Sequence, residues 1–251
     1  MAVRKYRWYH YAIALAILAA GWEVLARALD VAAFPRLGAA LSSFIEGVRP
    51  GGELVEHFLA STYRVLASTV ISLALGVPLG LYLGRSGGPI GAVLVYLTYP
   101  VPKVVFLPVI MVLLGIGDTS KIFLITLIIF FQILVTVKDA AASVPSGLIR
   151  SVQSLGGGEW AIYRHVILPA TLPAIFTALR LSTGTAIAVL FFAETYATRT
   201  GLGSFVWDAL SRLAYDTMFA GVMAMALMGF GFYVLLDATE RLLCPWAEAQ
   251  R

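Results

Sequence analysis

Residues Ser61–Leu83, with the sequence STYRVLASTVISLALGVPLGLYL, decide the fold class of this chain. Apolar and small side chains fill the stretch, and Arg64 is its one charged residue. A helix needs about 20 predominantly apolar residues to cross the hydrocarbon core of a bilayer. The stretch has that length, so we predict that it is a transmembrane helix.

The composition of the whole chain supports a membrane location. Hydrophobic residues make up 60% of the 251 residues and charged residues 13%, whereas soluble domains have about 45–50% and 25%. A core of ordinary size cannot bury that many apolar side chains, so the lipid bilayer is the first predicted partner. The net charge is +4, and the 18 basic residues are spread along the chain without a dense basic run, which argues against a nucleic-acid partner.

The same length criterion selects about six spans and therefore predicts an all-α, polytopic membrane protein. The six stretches are Tyr11–Ala28, Ser61–Leu83, Ile90–Ile116, Ile122–Val137, Leu172–Ala193 and Met218–Leu236. A basic cluster at the N-terminus comprises Arg4, Lys5 and Arg7, and such clusters usually stay in the cytoplasm. With an even number of spans, both termini and the hydrophilic segment 138–170 are then predicted to be cytoplasmic.

Three glycines in the second span occur at intervals of four residues: Gly76, Gly80 and Gly84. This spacing places them on one face of a helix, where the absence of side chains lets another helix approach closely. We therefore predict that this face packs against a neighbouring helix.

The third span is interrupted by Pro100, Pro102 and Pro108. Broken helices are tolerated in a membrane where the segment is buried in protein or lines a wet cavity. We therefore predict that this segment forms part of a solute pathway.

Charged residues within predicted spans are costly and indicate functional or structural roles. Lys103 lies among the prolines, where we predict that it lines the pathway and either pairs with Glu194 or contacts an anionic solute; alternatively, it extends to water at the inner interface. Glu194 lies at the end of the fifth span and Glu23 in the first. The candidate pathway residues are Pro102, Lys103, Pro108 and Glu194, whereas Glu23 is predicted to be structural.

No pattern in the sequence predicts catalysis. The segment Gly115–Lys121 has the glycines and lysine of a phosphate-binding loop without their order, and we interpret it as an exposed turn between spans. His10, His57 and His165 have no potential ligands at metal-binding spacing. We predict no enzymatic activity, no cofactor and no metal.

The hydrophilic segment after the fourth span predicts two short helices. Leu148, Val152 and Leu155 recur at helical spacing and are followed by three glycines at 156–158. A second helix is predicted to start at once, with an apolar face of Trp160, Tyr163, Val166 and Ile167. We expect Pro169 to end it, and Thr171 and Pro173 to start the next span. Such a pair forms a knob for a groove on a partner or, alternatively, lies on the membrane surface.

This segment resembles the cytoplasmic coupling loop of ABC importer permeases. The family pattern is Glu-Ala-Ala, a glycine four residues later, and an isoleucine, a leucine and a proline downstream. The corresponding residues here are Arg150, Ser151, Val152, Gly156, Ile167, Leu168 and Pro169. The glycine and the downstream group are kept, whereas Arg150 carries the opposite charge to the family glutamate.

Further matches resemble the nitrate/sulfonate/taurine-type branch of that family along nearly the whole chain. They are Pro102-Lys103, Leu107-Pro108, Gly115-Ile116, Ser120-Lys121-Ile122, Leu179-Arg180-Leu181, Ala193-Glu194 and Gly201-Leu202-Gly203. The resemblance implies a type I permease fold in the inner membrane, with an N-terminal helix and external segment at 1–56, a core at 57–241 and a cytoplasmic tail at 242–251.

The resemblance also implies the partners and the transported solute. A separate cytoplasmic ATPase would dock on the loop, with Leu155 and Trp160 filling its groove, and an external binding protein would deliver solute to a permease homodimer. Nitrate-like, sulfonate-like and taurine-like anions and vitamin precursors all fit this branch. The alternative is an ion-coupled secondary transporter in which charged residues within the spans form a relay.

Overall fold

The computed structural model describes residues 8–86, 88–196 and 198–248, and every regular element in those ranges is a helix. The helices are α1 (Trp8–Leu29), α2 (Leu37–Val48), α3 (Leu54–Ser86), α4 (Pro89–Thr98), α5 (Leu107–Leu114), α6 (Asp118–Ala142), α7 (Ser146–Ser154), α8 (Glu159–Ile162), α9 (Leu168–Thr195), α10 (Leu202–Ser211), α11 (Tyr215–Leu243) and α12 (Pro245–Glu248). The N-terminal basic cluster and the end of the predicted tail, 249–251, lie outside the described residues.

Among the described residues, five helical segments are long and apolar enough to cross a membrane. They are Ala12–Leu29, Leu54–Ser86, Asp118–Ala142, Glu159–Thr195 and Tyr215–Leu243. Each contains or overlaps one of the predicted spans. The all-α, multi-span prediction is therefore confirmed.

The third predicted span is not a continuous helix. It consists of α4, a 3₁₀ turn at Lys103–Phe106 and α5. Pro100 and Pro102 lie between α4 and the 3₁₀ turn, where their missing N–H groups and fixed φ angles prevent helix propagation. Pro108 lies in the first turn of α5, where a missing N–H group costs nothing.

Two compact units form from interleaved segments of the chain. The described residues of Met1–Thr62 and Glu194–Met228 form unit 1, and Tyr63–Ala193 with Gly229–Glu248 forms unit 2.

In unit 1, two residues of α1 hold the connection to α2. The indole Nε1 of Trp22 donates to the carbonyl of Pro35 at 3.0 Å. The Glu23 carboxylate accepts the N–H of Leu37, the first residue of α2, at 3.4 Å and also pairs with Arg27. A carboxylate at a helix N-terminus binds otherwise unsatisfied donors. Glu23 therefore has the structural role expected for it.

In unit 2, the glycine face of α3 lies against α6. A Cβ atom added at Gly80 would lie 2.8 Å from Cβ of Val137, and one added at Gly84 would lie 2.3 Å from the carbonyl oxygen of Lys138. At Gly76 the nearest atom is a methyl carbon of Ile133 at 3.2 Å. The two backbones approach so closely that α3 has no room for side chains on this face.

The predicted stop at Pro169 and the predicted start at Thr171 are wrong. Helix α8 continues through a π-helical turn at Tyr163–Ile167 into α9. Pro169 cannot donate to the carbonyl of residue 165, and its ring crowds that carbonyl. The wider π turn, which contains residue 165, accommodates this mismatch. The hydroxyl of Thr171 donates to the carbonyl of Ile167 at 2.9 Å within the helix and caps nothing.

The segment Gly115–Lys121 is only partly the exposed turn predicted for it. Gly115 has a φ of +82° and ends α5, and Gly117 precedes α6. Lys121, in contrast, lies in the first turns of α6 with 1% of its surface exposed. Its Nζ donates to the carbonyl of Gly117 at 3.0 Å. Satisfying the ammonium group in this way allows the aliphatic stem to be buried.

Candidate functional site

Helix α7 has two different apolar faces. Ile149 and Val152 point inward and pack against a buried cluster formed by α3, α6, the 159–195 helix and Cys244. Leu148 is exposed, and Leu155, directly after the helix, has 89% of its surface exposed. The inward face fixes α7 to unit 2, and the outward face remains available for a partner.

The turn after α7 is built by glycine. Gly156 has a φ of +79°, which disfavours residues with a Cβ atom. Its N–H donates to the carbonyl of Gln153 and that of Gly157 to Val152, both at 2.9 Å, so the helix ends in a Schellman motif. A Cβ atom at Gly157 would lie 2.5 Å from a methyl carbon of Val152, whereas one at Gly158 would meet no atom within 4 Å.

Two large apolar side chains flank this turn and face outward. Leu155 precedes it, and Trp160 follows it with 76% of its surface exposed. Exposed apolar groups rimmed by polar residues mark interaction surfaces. We call Leu148, Leu155 and Trp160 the docking face.

The remaining residues of the predicted coupling set divide between the exterior and the interior. Arg150 and Ser151 are exposed on α7, and the Ser151 hydroxyl donates to the carbonyl of Gly147 at 3.0 Å. Ile167 is buried in the cluster beneath the loop, Leu168 is partly exposed, and Pro169 is of intermediate exposure. Ile167 is therefore in a position to support the loop and not to touch a partner directly.

Sequence reasoning missed an ion pair beside the docking face. The guanidinium of Arg85, near the end of α3, donates twice to the carboxylate of Glu159, with Nε to Oε2 at 3.0 Å and Nη2 to Oε1 at 2.8 Å. The only local signal is an arginine at the end of one span and an acidic residue at the start of another helix. Their separation of 74 positions in the sequence hides the pairing.

Lys103 is bound by backbone carbonyl groups. Its Nζ lies 2.9 Å from the carbonyl oxygen of Thr98, 3.0 Å from that of Tyr99 and 3.3 Å from that of Val101. It also lies 4.4 Å from the ring centre of Phe131. Helix C-termini leave carbonyl groups unsatisfied and carry partial negative charge. Lys103 therefore caps the C-terminal end of α4.

Glu194 is the centre of a buried hydrogen-bond network in unit 1. Its side chain is 0% exposed. The Ser61 hydroxyl lies 2.8 and 2.9 Å from the two carboxylate oxygens, and the N–H of Gly203 donates to Oε2 at 2.8 Å. The N–H of Leu202 donates to the Ser61 hydroxyl at 2.8 Å. Because Leu202 and Gly203 begin α10, the network satisfies two donors of its first turn.

His57 extends the same network by one turn of α3. Its Nδ1 lies 2.8 Å from the carbonyl oxygen and 3.0 Å from the nitrogen of Gly201. Two separate family matches, Ala193-Glu194 and Gly201-Leu202-Gly203, thus form one structural site. Its polar groups are occupied in holding the start of α10.

Known proteins are similar to this chain over most of its length. A family model described as "Binding-protein-dependent transport system inner membrane component" matches residues 72–247. The taurine transport system permease protein TauC of Escherichia coli is 36% identical over 195 residues, covering 77% of this chain and 71% of TauC. The putative aliphatic sulfonates transport permease protein SsuC of Bacillus subtilis is 28% identical over 254 residues, covering 98% and 90% of the two chains.

A solved structure has the same fold. A chain of the MetNI methionine ABC transporter, in an inward-facing conformation, aligns with a TM-score of 0.62 at 22% identity, covering 76% of this chain and 95% of that one. The protein is thus a multi-span ABC importer permease with the type I fold. It belongs to the family of binding-protein-dependent transport system inner membrane components.

Proposed function

We propose that this permease forms the pathway for a small sulfonate-type anion, while a separate cytoplasmic subunit hydrolyses ATP. Support for the substrate class comes from relatives whose names specify taurine and aliphatic sulfonates. The charged pathway candidates do not add support for this substrate class, because Lys103 and Glu194 both form hydrogen bonds within the chain. Pro102 and Pro108, exposed at the break between α4 and α5, remain the candidate pathway residues.

The docking face is the proposed contact with the ATPase. Leu155 and Trp160 are large, apolar and exposed beside a rigid glycine turn, and this observation carries the coupling part of the proposal. The buried side chains of α7 join the docking face to unit 2. Movement of the ATPase is thereby transmitted into the core instead of being absorbed by a loose loop.

The proposed assembly contains two copies of the permease, an ATPase on the cytoplasmic side and a binding protein on the outer side. The proposed topology places both termini and residues 138–170 in the cytoplasm. The core at 57–241 is proposed to alternate between inward-open and outward-open states as the ATPase closes and opens. The N-terminal segment at 1–56 and the tail at 242–251 are proposed to lie outside that core.

Reconstitution in proteoliposomes tests the function. The permease, its ATPase and its binding protein are expected to take up taurine in the presence of ATP, and an uncoupler is expected to leave uptake unchanged. Uptake that collapses with the uncoupler and does not need ATP would contradict the proposal and favour the ion-coupled alternative. Uptake of riboflavin but not of taurine or nitrate would contradict the sulfonate assignment alone.

The docking face is tested by substitution. Leu155→Ala and Trp160→Ala are each expected to weaken ATPase binding by at least about tenfold, since a buried large apolar side chain contributes about 1.5–3 kcal/mol. Val112→Ala removes an equally exposed apolar side chain from α5 and provides the control. Copurification and ATPase titration in detergent measure the effect. Normal binding by both docking-face variants would contradict the assignment.

A further inference from the structure

The Arg85–Glu159 ion pair joins two helices at the base of the docking face. Arg85 is the second-last residue of α3, and Glu159 is the first residue of the helix that runs unbroken to Thr195. Two N–H···O bonds, of 3.0 and 2.8 Å, connect the guanidinium to the two carboxylate oxygens. A bidentate contact of this kind fixes orientation as well as distance.

Both partners are attached to rigid parts of unit 2. Arg85 directly follows Gly84, where the backbone of α3 is in close contact with α6. Glu159 directly follows the glycine turn and precedes Trp160 of the docking face. The ion pair therefore connects the packed α3 and α6 helices to the start of the helix that carries Trp160.

The electrostatic setting favours each partner at its position. Arg85 lies in the last turn of α3, where the partial charge of the helix is negative, and Glu159 lies in the first turn of α8, where it is positive. Each side chain is therefore attracted to its own helix end. Exposed pairs nevertheless contribute little to stability, about 0–1 kcal/mol. The Glu159 side chain is 65% exposed and that of Arg85 18%, so a large contribution to folding is not expected. Fixing geometry is the role that remains.

We infer that Arg85 and Glu159 are positioning residues for coupling, an inference that rests on the proposed function. The pair holds the glycine turn and Trp160 at a fixed position relative to α3. A displacement of the docking face then moves α3 together with the 159–195 helix. Without the pair, the ATPase still docks and hydrolyses ATP, but a smaller part of its movement reaches α3.

The measured quantity that separates this role from a structural one is the number of solute molecules transported per ATP hydrolysed. Glu159→Gln retains the size of the side chain and removes its charge. It is expected to lower this ratio at least about threefold while ATPase binding stays within about twofold, as expected for loss of a pair with little effect on stability. The exchanged variant Arg85→Glu/Glu159→Arg is expected to recover at least half of the loss.

Asp208→Asn is the matched control, because Asp208 on α10 pairs with Arg212 directly after that helix, and both side chains are exposed. It is expected to leave the ratio unchanged. An unchanged ratio in Glu159→Gln, or an exchanged variant no better than Glu159→Gln despite normal membrane insertion, would overturn the inference. Failure of the proposed function is distinguishable, because the unsubstituted complex would then show no ATP-dependent uptake.

Discussion

Glu194 and Glu159, two of the acidic side chains that organise loops in this permease, have opposite environments. Glu194, in unit 1, is completely buried and accepts hydrogen bonds from Ser61 and Gly203. Glu159, in unit 2, is mostly exposed and pairs with one arginine. Removing a buried acceptor leaves its donors unsatisfied, whereas removing an exposed partner exposes its donor to water. The comparison indicates that Glu194 contributes mainly to folding and Glu159 to the transmission of movement.

Replacement of Glu194 tests the buried side of the comparison and has the largest expected effect. Glu194→Ala is expected to destabilise the protein by about 3 kcal/mol, because it leaves buried donors at the start of α10 without an acceptor. The expected result is a strong loss of monodisperse protein and a lower temperature of aggregation in detergent. Asp208→Ala removes an exposed carboxylate from α10 and is expected to change stability by no more than about 0.5 kcal/mol. Equal stability of the two variants would contradict the distinction.

Substitution at the close contact between α3 and α6 has the next largest expected effect on stability. Gly84→Ala is expected to destabilise the protein by about 1–3 kcal/mol, because the new methyl group overlaps the backbone of α6. Gly184→Ala, on α9, meets no atom within 4 Å and is the matched control. Thermal unfolding in detergent measures both. A Gly84→Ala protein as stable as the control would mean that α3 and α6 do not pack in this way.

The glycine turn beside the exposed Glu159 provides the next test of the comparison. Gly156→Ala forces a residue with a Cβ atom into a left-handed conformation, at a cost of about 1–2 kcal/mol. We expect normal membrane insertion and lower solute-stimulated ATP hydrolysis, with Gly156→Asp having the same direction of effect. Gly158→Ala has open space and a negative φ, so its hydrolysis is expected to be normal. Equal hydrolysis by Gly156→Ala and Gly158→Ala would contradict the role of the turn.

The smallest expected effect belongs to Lys103. Lys103→Met is expected to lower stability by about 1 kcal/mol, since carbonyl groups at the end of α4 lose a charged donor. The half-saturating concentration of solute for transport is expected to stay unchanged. A large rise in that concentration, with stability unaffected, would show instead that Lys103 contacts the solute.

Local spacing in the sequence is enough to predict some of these features. Glycines at intervals of four share a helix face, and prolines interrupt a helix by removing donors, so the face of α3 and the break between α4 and α5 are predictable. The apolar residues of α7 recur at helical spacing up to Leu155, and Gly156 follows directly, so the end of this helix is predictable. Each of these features depends on neighbours within a few residues.

Other features depend on partners distant in the sequence. Ser61 and Glu194 are separated by 133 residues and Arg85 and Glu159 by 74, so no local pattern relates them. Lys103 binds backbone carbonyls, which every residue offers and no pattern distinguishes. The rule that proline ends a helix failed at Pro169 because a π turn accommodates it.

The position of Leu155 provides the most direct test of the account. In a Cys244→Ala background, which removes the buried native thiol, Leu155→Cys is labelled with a membrane-impermeant maleimide in vesicles of both orientations. The account predicts labelling in inside-out vesicles only, with protection when the ATPase is bound. Labelling of Leu155→Cys from the outer face of right-side-out vesicles would contradict it.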